Sequence, residues 1–186
     1  MKPPHYQDFK IKIFKIIAGP YENNAYILVC KKTNNSILID APSQANEIIQ
    51  LVKTTKLKMI IITHSHLDHI AGLNEIQASI SAPIAISKLD SLQLKNIPEF
   101  YLEDNSNIKA GNISLNIITT PGHTPGHMSI VISSEGEKGL ILGDVAHHPL
   151  QVHETGWLNS ADVDHELAKK TREAIMKQIE EDRIIL

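Results

Sequence analysis

The segment that most restricts how this chain can fold is His64-Ser65-His66-Leu67-Asp68-His69, four side chains of metal-ligating type in six residues. It follows directly on Met59-Ile60-Ile61-Ile62, a continuous apolar run of strand length. Such a run is expected to be buried on both faces. The polar residues behind it must then stand where a central strand ends and the chain leaves the sheet. While the backbone stays extended, side chains alternate with period two, so His64 and His66 point to one side and can share an ion. Asp68 and His69 follow where the chain turns into a helix, beside the first pair and toward a neighbouring ion. The spacing suits a two-metal cluster. Imidazole and carboxylate donors suit zinc, iron, manganese or similar divalent ions. The single cysteine, Cys30, excludes a sulfur-rich site and reads as a buried structural thiol at the end of Tyr26-Ile27-Leu28-Val29.

Two further constellations have the same placement. Thr120-Pro121-Gly122-His123-Thr124-Pro125-Gly126-His127 is a tight loop between apolar runs at 113–119 and 128–133, fixed by Gly and Pro on both sides. His123, at a strand exit like His64, is the choice for a third nitrogen on the first metal. His127 begins the next strand and reads as structural or as a support for a ligand. Leu140-Ile141-Leu142-Gly143-Asp144 is another apolar strand closed by a carboxylate, and Asp144 can bridge two cations. Asp40, after Ile37-Leu38-Ile39, either orients a ligand histidine from behind or closes a simple turn.

The rest of the chain is ordinary enough to frame these motifs. Its 186 residues are 42% hydrophobic and 21% charged, with Gly and Pro scattered singly and no repeat, which predicts one domain over 1–186. The 18 Lys and Arg against 21 Asp and Glu argue against nucleic-acid binding. No apolar run approaches the roughly 20 residues that cross a bilayer. Residues 1–15 alternate Lys with Ile and Phe instead of forming a secretory core, so no membrane association and a cytoplasmic location are expected. Runs at 11–17, 25–30 and 37–40 predict an antiparallel meander. Ser43 is a candidate cap for a helix with Ile48, Ile49 and Val52 on one face. A helix from Asp68 or His69 through Leu73, Ile76 and Ile80 leads to a strand at 84–86. Strands at 113–119, 128–133 and 139–142 follow, with Gly136 turning between the last two. An amphipathic helix carrying Leu167, Thr171, Ala174, Ile175, Gln178 and Ile179 begins behind Asp162 or Asp164 and is expected on a sheet face.

The run His64, His66, Asp68, His69 matches in full the His-x-His-x-Asp-His hallmark of the metallo-β-lactamase superfamily, which nearly the whole chain resembles. Residues 19–26 and 38–42 resemble glyoxalase II-like members, whereas 143–152 resemble the branch of organophosphate hydrolases and lactonases. The resemblance implies an α/β (α+β) fold, an αββα sandwich of two mixed sheets with helices outside and metals at one sheet edge. By position it implies one metal on His64, His66 and His123, a second on Asp68 and His69, and Asp144 bridging. It implies two divalent metal ions, zinc ahead of iron or manganese. The family's last histidine has no counterpart here. Arg183-Ile184-Ile185-Leu186 resembles the strand that leads to it, so the chain is expected to be clipped, its second half lacking the closing strand and helix. A homodimer covering the exposed sheet edge, and a weaker second metal unless His147 or His148 substitutes, are the corresponding expectations.

The function implied is hydrolysis of an ester, thioester or lactone in a small-molecule substrate by a metal-held hydroxide, with Asp68 orienting it and passing its proton to the leaving group. Two alternatives stand beside it: a mononuclear iron persulfide dioxygenase using His64, His123 and Asp144, and an inactive metal-binding remnant. Pocket walls are expected from the loops at 96–107 and 150–159. Tyr101 and Trp157 line a pocket there or simply pack, and Lys88, Lys95 and Arg172 meet an anion or serve as solvated charge.

Overall fold

Alternating side chains on the central strands serve two apolar layers at once, which explains their unbroken hydrophobic runs. The computed structural model describes residues 2–95 and 97–185; of the segments discussed above, Met1, Asn96 and Leu186 lie outside these. Strands β1 (Tyr6–Gln7), β2 (Ile11–Ala18), β3 (Asn23–Cys30) and β4 (Asn35–Ile39) form the predicted antiparallel meander. Helix α1 (Asn46–Val52), β5 (Lys56–Ile61), α2 (Leu67–Ile70), α3 (Leu73–Ser79), β6 (Ile84–Ser87), α4 (Lys88–Ser91) and β7 (Phe100–Leu102) follow. β4 to β7 are parallel, so the first sheet, ordered β1-β2-β3-β4-β5-β6-β7, is mixed.

The second sheet holds β8 (Asn107–Ala110), β9 (Ile113–Thr119), β10 (Met128–Ser134) and β11 (Glu137–Ile141) in the order β11-β10-β9-β8. These four pair antiparallel, and the parallel component is a bridge between Gly139 and Ile185 on the outer edge of β11. Helix α5 (His165–Asp182) lies over this sheet, capped by Asp164, whose carboxylate accepts from Leu167 N–H.

Three apolar layers result. Ile27, Leu38, Ile60 and Ile62 face Ile48, Val52, Leu73 and Ile76 of the helices. Leu28, Ile37, Ile39 and Ile61, one residue out of phase, face Ile117, Met128 and Ile130 across the sandwich. Val131 and Leu140 pack on Ile175 and Met176 of α5. Each such isoleucine, fully buried, contributes about 1.5–3 kcal/mol. This is the αββα arrangement that the resemblance implied. Cys30 is buried between the sheets, as its position suggested.

Two helix boundaries differ from expectation. α1 starts at Asn46 and not behind Ser43, because Gln44 takes φ 59°, a left-handed conformation no right-handed helix contains. The helix expected through 68–80 is broken into α2 and α3. Gly72 N–H turns away to donate to Ala41 O at 2.8 Å, leaving the helical ladder at that point. Among the described residues no helix is long and apolar enough to cross a membrane.

Candidate metal centre

Both sheets end at one edge, and their strand exits bring the predicted donors together. β5 is prolonged by Ile62 N–H donating to Ala85 O (2.9 Å) and by Thr63 O accepting from Met128 N–H (3.0 Å), a backbone tie between the sheets. His64 follows, fully buried. His66 is the half-buried N-cap of α2, and His69 is buried in that helix's last turn. His123 comes from the loop between β9 and β10, Asp144 from the 3-10 turn after β11.

Donor atoms of His64, His66 and His123 lie within 4.8 Å of one another, as do those of His64, His69 and Asp144, and those of His123, Asp144 and His147. Asp144 Oδ2 is 3.4 Å from His123 Nε2 and 3.9 Å from His64 Nε2, while Oδ1 is 3.3 Å from His69 Nε2. Asp68 lines the same cleft, where its Oδ2 accepts from Asn23 Nδ2 at 3.0 Å, but it belongs to none of these three-donor groups.

Three of the histidines are held alike. His64 Nδ1 faces Thr63 Oγ1 (3.1 Å), whose hydroxyl also reaches Asp40 Oδ2 at 2.9 Å. His69 Nδ1 faces Asp40 Oδ2 and His123 Nδ1 faces Asp162 Oδ1, each at 2.9 Å. Each ring is thereby oriented with Nε2 inward, the arrangement that ligand imidazoles need. His64 Nε2 and His123 Nε2 are buried with no hydrogen-bond partner. Two buried lone pairs left unmatched beside a carboxylate are costly in a bare protein and suit a cation. The donor set thus fits the divalent metal that the sequence pattern called for.

Charge is distributed accordingly. Burial, together with His127 and His69, holds the His64 imidazole well below its usual range; burial lowers His123 as well. Burial would lower His69 too, but the carboxylates of Asp40 and Asp144 outweigh it and push it up to about 10. Burial alone would raise Asp144, yet hydrogen bonds from His147 and His69 hold its carboxyl far below the ordinary carboxylate range.

His127 spends both ring nitrogens on structure. Nε2 accepts from Asp144 N–H (2.9 Å), so Nδ1 carries the proton and donates to Thr120 Oγ1 at 2.8 Å. Thr120 in turn meets Ser129 Oγ, which donates to Leu142 O. Gly143 at φ 61° passes so close to this ring that a Cβ would collide with its Nε2. Asp40 orients His69 and also accepts from Thr63 N–H at 2.8 Å, tying His69 and the residue before His64 to the end of β4.

Several residues here carried no sequence signal. Asp90 of α4 accepts from Ser65 N–H, Thr124 Oγ1 and Gly126 N–H, stapling the two histidine loops together. Asn23 Nδ2 donates to Asp68 Oδ2 and lies 3.0 Å from His69 Nε2. Asp162 stood out only as a helix cap, yet it supports His123. Arg172, read as an anion contact or a solvated charge, is buried on three backbone carbonyls. The open cleft beside Asp68, about 440 Å³, is walled by Tyr21, Glu22, Asn24 and Ala146, not by Tyr101 or Trp157, both half exposed elsewhere.

The profile of the metallo-beta-lactamase superfamily matches residues 18–184. The chain belongs to that superfamily. A hydroxyacylglutathione hydrolase of Bdellovibrio bacteriovorus is 29% identical over 126 residues, covering 67% of this chain and 49% of the relative's own length. The chain thus spans about half of that relative. Among solved members of the superfamily, the hydrolase AbOPH superposes with TM-score 0.75 at 17% identity, covering 99% of this chain and 89% of its own. The BLEG-1 B3 metallo-beta-lactamase gives 0.73 at 21% identity over 87% of this chain and 83% of its own. At these identities the superfamily fold is what is shared, and that fold implies divalent metal binding.

Proposed function

We propose that this chain is a metal-dependent hydrolase acting on an ester, thioester or lactone bond of a small molecule. The single observation that carries the reading is the pair of buried, unmatched Nε2 atoms of His64 and His123, converging with His66 and Asp144 at one sandwich edge. His64, His66 and His123 would hold one cation; His69 and Asp68 would serve a second, with Asp144 shared between them. His147 Nε2, 3.4 Å from Asp144 Oδ2, adds a further nitrogen. A divalent cation there supplies Lewis-acid polarisation of a carbonyl and acidifies water from a pKa near 16 to about 7.

The chain's own residues then orient and transfer protons. Asn23 engages Oδ2 of Asp68, so Oδ1 is the atom that takes a proton from the attacking water and delivers it to the leaving group. Asn23 fixes that carboxylate beside the cleft, while Asp40 keeps His69 from turning. The thioester is the first substrate class to try, because hydroxyacylglutathione hydrolases recur among the relatives. The open cleft beyond Asp68 has room for a small acyl group and part of its carrier.

The test is elemental analysis of purified protein, followed by assays on a glutathione thioester, a lactone and an aryl ester. Metal-loaded protein that turns over at least one of these supports the proposal; loaded protein inert on all three overturns it. Oxygen consumption with a glutathione persulfide would instead favour iron on His64, His123 and Asp144.

A further inference from the structure

His123 sits on a loop, and α5 grips that loop from behind. Val163 N–H donates to His123 O (3.1 Å), Asp164 N–H to Gly122 O (3.0 Å) and Thr171 Oγ1 to Pro121 O (2.6 Å). Gly122, at φ 130°, lies so close to Ala168 that any Cβ would strike the helix backbone. The main chain of the loop is thereby fixed. The ring is fixed separately, by the 2.9 Å contact of Nδ1 with Asp162 Oδ1.

Behind Asp162 stands Arg172. Its Nη2 is 3.6 Å from Asp162 Oδ2, and both groups are 1% exposed. The rest of the guanidinium is committed elsewhere: Nε donates to Val145 O at 2.6 Å, and Nη1 to Thr155 O and Trp157 O at 2.8 Å each. Those carbonyls belong to the segment that leaves Asp144. One buried side chain therefore connects the turn carrying Asp144 to the carboxylate that orients His123. Burying a guanidinium costs several kcal/mol of desolvation, which the three carbonyl hydrogen bonds offset only in part. What the charge adds is fixed geometry.

We infer that Asp162 and Arg172 form a positioning pair for the metal centre. Asp162 holds His123 with its Nε2 lone pair toward Asp144, and Arg172, anchored on the turn after Asp144, holds that carboxylate in place by its charge, 3.6 Å away and without a hydrogen bond, so that the two donors keep their separation. Neither residue touches the cation or the substrate. The inference rests on the metal centre proposed above.

The full-length chain is stripped with chelator and titrated with Co(II) against a competing chelating dye, with the visible d–d bands recorded at saturation. Asp162→Asn keeps the shape but removes the charge facing Arg172; Arg172→Lys keeps a charge but cannot reach all its acceptors. Each is expected to weaken Co(II) affinity by about 10–100-fold and to shift the d–d bands, with the far-UV spectrum of the metal-free protein unchanged. Long-range proton–nitrogen NMR of the metal-free Asp162→Asn variant should show His123 losing its single tautomer. Folded variants with wild-type affinity, bands and tautomer overturn the inference. If a single variant does not fold, the double variant Asp162→Leu with Arg172→Met removes both buried charges together; weak Co(II) binding there supports the pair, and wild-type binding overturns it. Wild-type protein that takes up no Co(II) overturns the metal centre and this inference alike, whereas tight wild-type binding with unaffected variants overturns this inference alone.

Discussion

At the scale of single residues, the site is built by deciding which nitrogen of each imidazole keeps its proton. Thr63, Asp40 and Asp162 each occupy an Nδ1, leaving Nε2 inward, whereas Asp144 N–H claims Nε2 of His127 and removes that ring from ligation. Asp68 is the one acidic group of the cleft assigned to proton transfer. Asp68→Asn is therefore expected to keep most of its metal while turnover falls by about 10²–10⁴-fold; unchanged turnover on whichever ester or thioester proves active would remove that role. His127 offers a pH test. Burial holds it down to about 3, against an ordinary value of 6.5. Between those values the unfolded chain binds a proton that the folded chain refuses. The contribution of His127 to the stability of the metal-free protein should then be intact above pH 6.5 and be lost as pH drops through this window. His64, also depressed, adds in the same direction. His69 acts oppositely: raised to about 10, it contributes stability below pH 6.5 that is lost as pH rises toward 10. In urea denaturation, His127→Gln should show a shallower acid dependence than wild type, by up to about 1.4 kcal/mol per pH unit. Parallel acid limbs would contradict this.

At the scale of elements, close backbone crossings decide where helices stop. Between α2 and α3 the chain turns to Ala41 and passes Pro42 so closely that only glycine fits at 72, where a Cβ would run into the Pro42 carbonyl. At this N-cap of α3 alanine gains nothing over glycine, and forcing an atom into a packed crossing costs about 1–3 kcal/mol. Gly72→Ala is expected to lower the urea midpoint, while Gly156→Ala, with open space around it, should be near neutral; a stabilised Gly72→Ala would show that the crossing yields. The same physics sets what the sequence disclosed. The strands β5, β9 and β10 and the long α5 were legible because their periodicity reports burial within the element itself. The α2–α3 break was not, because its cause is Ala41 and Pro42, remote in sequence. Short edge strands β1, β7 and β8 carry too few residues for a pattern. In the site, His64, His66, His69, His123 and Asp144 were legible as polar residues at apolar strand ends. Asp90 and Asp162 were not, since a buried carboxylate on a helix or turn looks like any cap until the loop it binds is in place.

At the scale of the molecule, the metal donors come from both halves of the sandwich. His64, His66 and His69 follow a strand of the first sheet; His123 and Asp144 leave the second. Among the described residues a backbone tie, from Met128 N–H to Thr63 O, joins the halves directly at this edge, so a cation on His64, His66 and His123 would close the edge across the core. Binding to the folded state alone stabilises it by about 2.7 kcal/mol when the free metal is one hundred times its dissociation constant. For a chain of this size that corresponds to a rise of about 5–10 °C in Tm. The two cations need not contribute equally. The first would be met by three imidazoles, two of them with unmatched buried Nε2 atoms that gain a partner on binding. The second would meet His69, which must shed a tightly held proton before it can ligate, and Asp68, already engaged by Asn23. Proton loss and rearrangement both subtract from affinity. Zinc titration of chelator-stripped protein should accordingly show one tight and one weak event, with most of the gain in Tm on the first. The weak event should strengthen as pH rises toward 10, because the proton on His69 is then lost without help from the metal. Two equivalent sites, or a Tm indifferent to the first equivalent, would separate the metal from the joining of the sheets.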